Sequence, residues 1–213
     1  MLVLVLLTFI SHDVVSRNSL PATTEIPGPD NPAAKAVLDS ICSHYESLKS
    51  MKVNMVLTRN FRNTIKVDTV RGFMQGKKYR LEMPHQNIVN DGKKVWFYDK
   101  TLNKIFHKND NPQETNFLYP SRALKKWESE FNYSIIGELN MGEHTFLKME
   151  FTAKPKAAGT APPPQINMFI DKRNFNILKI TVLQSNGDFL MLDYHDFAPN
   201  IKFDPAVFTM DMS

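Results

Sequence analysis

The segment that decides the fold is Asn87–Lys100, which has the sequence NIVNDGKKVWFYDK. Its Asp91-Gly92 pair predicts a tight hairpin turn, because glycine accepts the positive φ that the turn requires. The strand after the turn should alternate between apolar and polar side chains, but Val95 to Tyr98 are all large and apolar. We therefore expect both faces of this strand to be covered, the second by a helix, by a ligand, or by each in turn.

Outward from this hairpin, the sequence predicts a succession of about eleven strands joined mostly by short turns. Many of them place apolar residues on one face only, as Leu147, Met149 and Phe151 do between polar neighbours. The expected strands are residues 52–61, 65–75, 78–83, 86–90, 94–99, 103–107, 133–138, 144–153, 165–171, 175–184 and 188–197. Short connections favour antiparallel pairing, so the expected fold class is mainly β (α+β), a half-open antiparallel barrel.

Two segments have helical rather than strand periodicity. The first should span about residues 32–50, with Asp30 or Asn31 as its cap and a proline in its first turn. Its apolar stripe consists of Ala34, Leu38, Ile41, Tyr45 and Leu48. The stripe of the second helix, within residues 121–131, consists of Leu124, Trp127 and Phe131. A barrel of this width is not filled by its own strands, so we expect these helices or a ligand to fill it.

The amino terminus predicts export. The largely apolar residues 2–10 have the length of a signal-peptide core and are too few to span a bilayer, and residues 14–16 (VVS) would serve as the cleavage site. We expect a signal peptide at residues 1–16, a proline-rich linker at residues 17–31 and one folded domain at residues 32–213.

The composition is that of an ordinary globular protein and favours no nucleic-acid partner. The net charge of +4 is mild, and the stretch RGFMQGKKYR matches an RNA-binding consensus only as far as Phe73. The single cysteine, Cys42, excludes an internal disulfide. Eleven methionines and fifteen phenylalanines would give a soft and adaptable apolar lining.

Motifs for catalysis and cofactor binding are missing: the sequence has no GxGxxG, P-loop, HExxH, CxxC or GxSxG. The best candidate for chemistry is LDYHDF, where Asp193 and His195 share a strand face and Asp196 is adjacent. No further metal ligand follows at a convincing spacing, so we expect these residues to be solvated strand residues. The sequence thus predicts no catalytic residues, no metal and no cofactor.

The stretch KKYRLEMPHQNIVNDGKKVWFYDKTLNKIF, residues 77–106, resembles the LolA family of periplasmic outer-membrane lipoprotein carriers. The matching positions are Lys78, Tyr79, Arg80, Pro84, Ile88, Val89, Asp91, Gly92, Lys93, Val95, Trp96 and Tyr98. The likeness extends over about residues 32–210, through Ile170–Ile180 and a closing run at residues 197–209. In the best-known branch an Arg-Pro pair before this stretch supplies an arginine that fastens a lid, whereas this chain has Met74–Lys78 there.

The resemblance implies a barrel closed by a helical lid, with an apolar cavity for lipoprotein acyl chains. Such carriers are periplasmic, are not enzymes and use no cofactor. They collect lipoproteins from an inner-membrane ABC exporter and deliver them to an outer-membrane acceptor, and we expect this chain to do so as a monomer. The alternatives are a receptor or envelope stress sensor of the same fold, and an enzyme acting on an apolar ligand with Asp193 and His195 as its beginning.

A carrier needs two sets of side chains. One set lines the cavity around the acyl chain, and the other fills that cavity when no acyl chain is bound. The expected cavity wall consists of Leu81, Met83, Trp96, Tyr98, Met149, Phe151, Met168, Ile170 and Ile180. The expected lid, which fills the cavity when it is empty, consists of Leu38, Ile41, Tyr45, Leu124, Trp127 and Phe131.

Overall fold

The computed structural model describes residues 31–111, 118–141, 144–154 and 164–210. The helices are α1 (Pro32–Ser47), α2 (Pro120–Glu130) and a short 3₁₀ helix (Pro205–Phe208). The strands are β1 (Ser50–Phe61), β2 (Thr64–Gln75), β3 (Lys78–Glu82), β4 (Gln86–Asn90), β5 (Lys94–Asp99), β6 (Lys104–Asn109), β7 (Phe131–Met141), β8 (His144–Ala153), β9 (Gln165–Asp171), β10 (Ile177–Leu183) and β11 (Phe189–Pro199). The expected signal peptide, and the expected linker as far as residue 30, lie outside the described residues.

The eleven strands of the described residues form one antiparallel sheet in the order β6-β5-β4-β3-β2-β1-β11-β10-β9-β8-β7. Two meanders, β1 to β6 and β7 to β11, are joined along their first and last strands, because β1 pairs with β11. Strands β6 and β7 follow one another in the chain but lie at opposite edges, with α2 in the connection between them. The predicted fold class is confirmed, and the sheet is open.

The register of the strands separates the two faces of the sheet, because directly paired residues point to the same side. Leu57, Leu192, Ile180, Met168 and Met149 form one continuous row of pairs across five strands. Both α-helices pack on this side, and their buried residues join those of the strands in one hydrophobic cluster. We call this side the core face and the opposite side the outer face.

Local chemistry sets the ends of both helices. Asn31 caps α1, its side-chain Oδ1 accepting a hydrogen bond from the N–H of Ala33 at 2.9 Å. Helix α1 ends at Ser47, before the predicted residue 50, because Ser50 already belongs to β1 and pairs with Gln75. The prediction was also wrong in placing Phe131 on the second helix: it is the first residue of β7.

The carboxyl-terminal segment, residues 200–210, crosses the outer face of β2 and β3. Phe203 packs edge-on against Phe73 of β2, with the ring centroids 5.8 Å apart, and also against Phe208. The guanidinium of Arg80 on β3 donates to the backbone carbonyls of Val207 and Thr209 at 3.4 and 3.3 Å. This segment therefore covers part of the outer face of the sheet, over β2 and β3.

In the part of the chain that the structure describes, no helix has the length and apolarity needed to cross a membrane.

Candidate functional site

Helix α1 is fastened to the core face by its apolar stripe and by polar contacts near its end. Ala34, Leu38 and Ile41 are at most 1% exposed. The hydroxyl of Tyr45 accepts a hydrogen bond from the N–H of Ile177 at 3.0 Å, and burial raises the pKa of this tyrosine well above its ordinary value. Beside it, His44 Nε2 and Asn176 Oδ1 are 2.8 Å apart. The carboxyl-terminal end of α1 is thus held at the start of β10.

Helix α2 contributes one ring, that of Trp127, to an aromatic cluster whose other members lie on β7 and β8. Leu124 is 1% exposed, but Trp127 is only half-buried. The Trp127 ring lies 5.4 Å from that of Phe151 in an edge-on contact, and Phe131 and Tyr133 lie within 6.5 Å of one of these two rings. All the residues predicted to form a lid therefore pack against the core face or border it.

Seven of the nine predicted wall residues lie together on the core face. Those that are at most 3% exposed are Leu81, Met149, Phe151, Met168 and Ile170. Met83 and Ile180 are half-buried and pack against the same cluster. This part of the predicted wall is one connected apolar surface, rich in methionine.

Trp96 and Tyr98 do not belong to that surface, contrary to our expectation. Their strand partners are Val89 and Asn87, so they point to the outer face, while Val95 and Phe97 point to the core. Sequence reasoning missed Val95 and Phe97 because four large residues in a row hide the alternation.

The contacts of Trp96 explain why it is fixed on the outer side. Its indole N–H donates to Asp91 Oδ2 at 3.1 Å, and its ring lies against the His107 ring with centroids 4.8 Å apart. Burial by itself would raise the pKa of Asp91, but hydrogen bonds from the Lys94 N–H and the Trp96 indole outweigh it and lower that pKa. Trp96 therefore braces the Asp91-Gly92 turn.

The segment before α2 is attached to the first meander by residues that sequence reasoning missed. The hydroxyl of Tyr119 donates to the backbone carbonyls of Gly76 and Lys78 at 2.9 and 3.2 Å. Leu118, 1% exposed, occupies the space above Gly72, where a Cβ atom would lie 2.5 Å from Leu118 Cδ2. Gly72 thus leaves open the space that Leu118 fills. The only sign of this contact in the sequence is a glycine inside a strand.

Among the described residues, two ion pairs connect the helices to each other. Lys35 of α1 lies 3.1 Å from Glu128 of α2, and Lys125 lies 2.5 Å from Glu46. These four side chains are all substantially exposed, so water screens both pairs and they contribute little to stability. Apolar burial therefore determines how firmly the helices are held.

The core face is less completely covered toward the β1–β2 and β10–β11 hairpins. A row of paired residues there consists of Tyr133, Phe151, Ile166, Val182 and Leu190. Phe151 and Ile166 are buried, with the Trp127 ring packed on Phe151, whereas Tyr133, Val182 and Leu190 are only partly buried. This row and Trp127 form what we call the apolar groove, which is the candidate binding site.

The outer face carries the polar residues that sequence analysis considered for chemistry. Asp193 is paired with Lys179 at 2.8 Å, and Asp196 accepts a hydrogen bond from Asn54 at 3.0 Å. His195 and Asp196 border a shallow depression of about 720 Å³ on this face. Within the described ranges, no group of three or more His, Cys, Asp or Glu side chains is placed to hold a metal ion.

An open antiparallel sheet whose apolar face lies under two amphipathic helices defines a class of α+β proteins with a helix-covered groove. Within that class, the chain belongs to the outer membrane lipoprotein carrier protein LolA family, whose family model matches residues 58–211.

Individual relatives are distant. The chain is 25% identical over 166 residues to the uncharacterized protein MJ0687 of Methanocaldococcus jannaschii. The aligned region covers 76% of this chain and 45% of MJ0687. It thus spans less than half the length of this relative. Among solved structures, MucB superposes with a TM-score of 0.57 at 13% identity, covering 87% of this chain and 65% of MucB. An uncharacterized conserved protein from Thermus thermophilus superposes with a TM-score of 0.54 at 13% identity. The superposition covers 82% of this chain and 91% of the Thermus protein. These structures show the shared fold.

Proposed function

We propose that this protein is a non-enzymatic carrier that shelters lipoprotein acyl chains against its core face. The observation that carries the proposal is the apolar groove: Trp127 packs on its buried Phe151, while Val182 and Leu190 at its β10–β11 end are partly exposed. Asp193 and His195, which could have begun a catalytic cluster, lie on the outer face and away from the groove.

The energetics suit loading and release without nucleotide hydrolysis. A sheltered chain of about fifteen methylenes contributes roughly 12 kcal/mol, at about 0.8 kcal/mol each. Displacing the buried Leu124 from the core face opposes binding by about 1.5–3 kcal/mol, and displacing the half-buried Trp127 adds to that cost. Because the ion pairs between the two described helices are exposed and weak, the helices resist displacement mainly through this apolar burial.

Membership of the LolA family supports the cellular setting that we propose. The protein acts in the periplasm, takes lipoproteins from an inner-membrane ABC exporter and passes them to an outer-membrane acceptor. The acyl chains would enter at the half-exposed end of the groove, where Val182 and Leu190 are already accessible.

The two tryptophans allow a direct test, because they lie on opposite faces of the sheet. A lipidated peptide should shift the fluorescence of the protein, whereas the same peptide without lipid should not. The Trp96→Phe variant should retain the shift, and the Trp127→Phe variant should lose it, since Trp127 borders the groove.

Two results would contradict the carrier proposal. One is the absence of any lipid-dependent shift together with the absence of lipid in gently purified protein. The other is a shift that depends on Trp96 alone, which would locate binding on the outer face.

A receptor or stress sensor that retains its lipoprotein is the second candidate. The observation in its favour is the polar attachment of α1 through Tyr45 and His44, which would oppose rapid exchange. Transfer of a bound lipopeptide to acceptor vesicles separates the two: a carrier releases it, and a receptor keeps it.

A further inference from the structure

The tip of the β1–β2 hairpin exposes more apolar surface than a solvated turn requires. Ile65 and Val67 are 64% and 62% exposed on the outer face, and Phe61, next to the turn on the other side of the hairpin, is 42% exposed. Strand β3 reaches only as far as Arg71 along β2, so the hairpin projects beyond its neighbour on that side.

The β10–β11 hairpin ends beside this tip and is bonded to it. Asp188 Oδ1 accepts a hydrogen bond from the N–H of Arg62 at 2.8 Å, and Asn60 Nδ2 donates to the Gly187 carbonyl at 3.4 Å. On the outer face, Asn60 lies between Ile65 and Phe189 in one row of paired residues, and Phe189 is paired with Leu183. The two turns and these flanking residues form what we call the hairpin tip.

The exposed charges of the hairpin tip are positive. Arg62 and Lys66 are exposed, with the Arg62 guanidinium 5.1 Å above the Phe61 ring. The nearby carboxylates are already engaged: Asp68 pairs with Arg59, and Asp188 is 8% exposed and accepts hydrogen bonds.

The backbone gives Arg62 an unusual position. Arg62 and Asn63 occupy the two central positions of the turn with φ of 48° and 60°. Asparagine and glycine are favoured at both positions, so an arginine at the first of them is unfavourable for the turn itself. It nevertheless places a cation at the outermost point of the sheet.

We propose that the hairpin tip docks on an anionic bilayer surface, with Ile65, Val67 and Phe61 inserted among the lipids and Arg62 and Lys66 near the phosphates. Aromatic and aliphatic side chains combined with basic ones are the pattern of an interfacial anchor. The tip lies at the half-exposed end of the apolar groove, so docking would bring the groove to the membrane. Only this last step rests on the proposed function.

The shape of the tip favours a bilayer over a protein partner. A stable protein interface buries about 800 Å² on each partner, whereas this surface is a narrow projecting hairpin with apolar groups around its end. A bilayer adapts to such a projection, and insertion needs no complementary surface.

Flotation with vesicles tests the proposal on the complete protein without any lipopeptide. Vesicles of phosphatidylcholine containing phosphatidylglycerol should bind the protein, and vesicles of pure phosphatidylcholine should bind it more weakly. The Ile65→Ser/Val67→Ser variant should lose about tenfold in vesicle affinity. The Arg62→Glu/Lys66→Glu variant should lose at least about fivefold.

The chain offers a matched control far from the tip. Leu139 and Met141 are 58% and 60% exposed near the β7–β8 turn, so Leu139→Ser/Met141→Ser removes equivalent apolar surface elsewhere. This variant should bind vesicles like the unaltered protein. Equal losses in both double serine variants, or no loss at the tip, would overturn the proposal, as would binding that ignores lipid charge.

Docking and acyl-chain binding can fail separately. The tip variants should still bind a soluble lipopeptide and show the Trp127-dependent fluorescence shift. If vesicle binding is confirmed and that shift is absent, the docking surface stands and the carrier function does not. Capture of an added strand-forming peptide by the tip, in place of vesicles, would instead indicate a protein partner and refute the proposal.

Discussion

The hydroxyl of Tyr119 donates a hydrogen bond to the backbone carbonyl of Gly76 across 2.9 Å, joining the segment before α2 to the β2–β3 turn. Tyr119 is 9% exposed and its ring packs edge-on against that of Tyr79. The turn is the part of the chain where the resemblance leads one to look for an Arg-Pro pair and finds Met74–Lys78 instead. In this chain the donor, the Tyr119 hydroxyl, comes from the segment before α2, and the acceptors are backbone carbonyls of Gly76 and Lys78.

The Tyr119→Phe substitution should weaken this attachment without changing the shape of the side chain. We expect a loss of about 0.5–1.5 kcal/mol in the free energy of unfolding, measured in urea. Lipopeptide affinity should rise, because the empty state is the one that loses a bond. The control is Tyr98→Phe, whose hydroxyl bond to Asn103 lies at the surface, and which should change neither quantity. Equal behaviour of the two variants would argue against a fastening role.

Replacing Gly72 by alanine should cause a steric clash with the side chain of Leu118. The new Cβ would lie 2.5 Å from Leu118 Cδ2, and Met55 Cε and Val53 Cγ1 at 3.1 and 3.2 Å close the other directions. Unfolding measurements should show a loss of about 1–3 kcal/mol.

Two further variants isolate the cause of that loss. Gly137→Ala, where the nearest atom to a Cβ is 3.9 Å away, should be neutral or slightly stabilising. Adding Leu118→Val to Gly72→Ala should restore part of the stability. No recovery in the double variant would show that the leucine is not the obstacle.

The Tyr45→Phe substitution should loosen the end of α1. It leaves the buried N–H of Ile177 without its acceptor, which costs about 1–3 kcal/mol. Native-state hydrogen exchange should show that the substitution speeds exchange at the Ile177 amide more than at the interior amides of β8. Unchanged protection at Ile177 would mean that α1 is held by its apolar stripe alone.

Stability should fall at alkaline pH through Cys42. Burial, assisted by the nearby Glu46 carboxylate, raises the pKa of this thiol to about 11, whereas an unfolded thiol titrates near about 8.5. The folded state favours the neutral thiol. The contribution of Cys42 to the free energy of unfolding is therefore complete below the pKa of the unfolded thiol, and it is lost as the pH rises through the pKa of the folded thiol.

Urea midpoints measured at successive pH values above about 8.5 should therefore decline, and the Cys42→Ala variant should decline less steeply. Buried Tyr45 and Tyr194 also have raised pKa values and act in the same direction at higher pH. Parallel curves for the two proteins would show that the thiol does not contribute.

Local sequence pattern was enough to identify the strand and helix segments, apart from ends such as Phe131. Alternation such as that of Leu147, Met149 and Phe151 is a local property, and it located β8 to the residue. The helical stripe of α1 was equally local, and the sequence narrowed its cap to Asp30 or Asn31, of which the structure selects Asn31. The family resemblance was visible for the same reason, since it depends on short stretches such as residues 77–106.

Local pattern could not show which side of residues 95–98 meets the core, because all four residues are large and apolar. That choice depends on their partners in β4 and on helices far along the chain. The same holds for the pairing of β1 with β11, for the Tyr119 bond to Gly76, and for the meeting of two hairpins at one tip. Each joins residues more than forty positions apart. Chain periodicity carries no information on such pairs, and packing selects them by the apolar area and the buried hydrogen bonds that they complete.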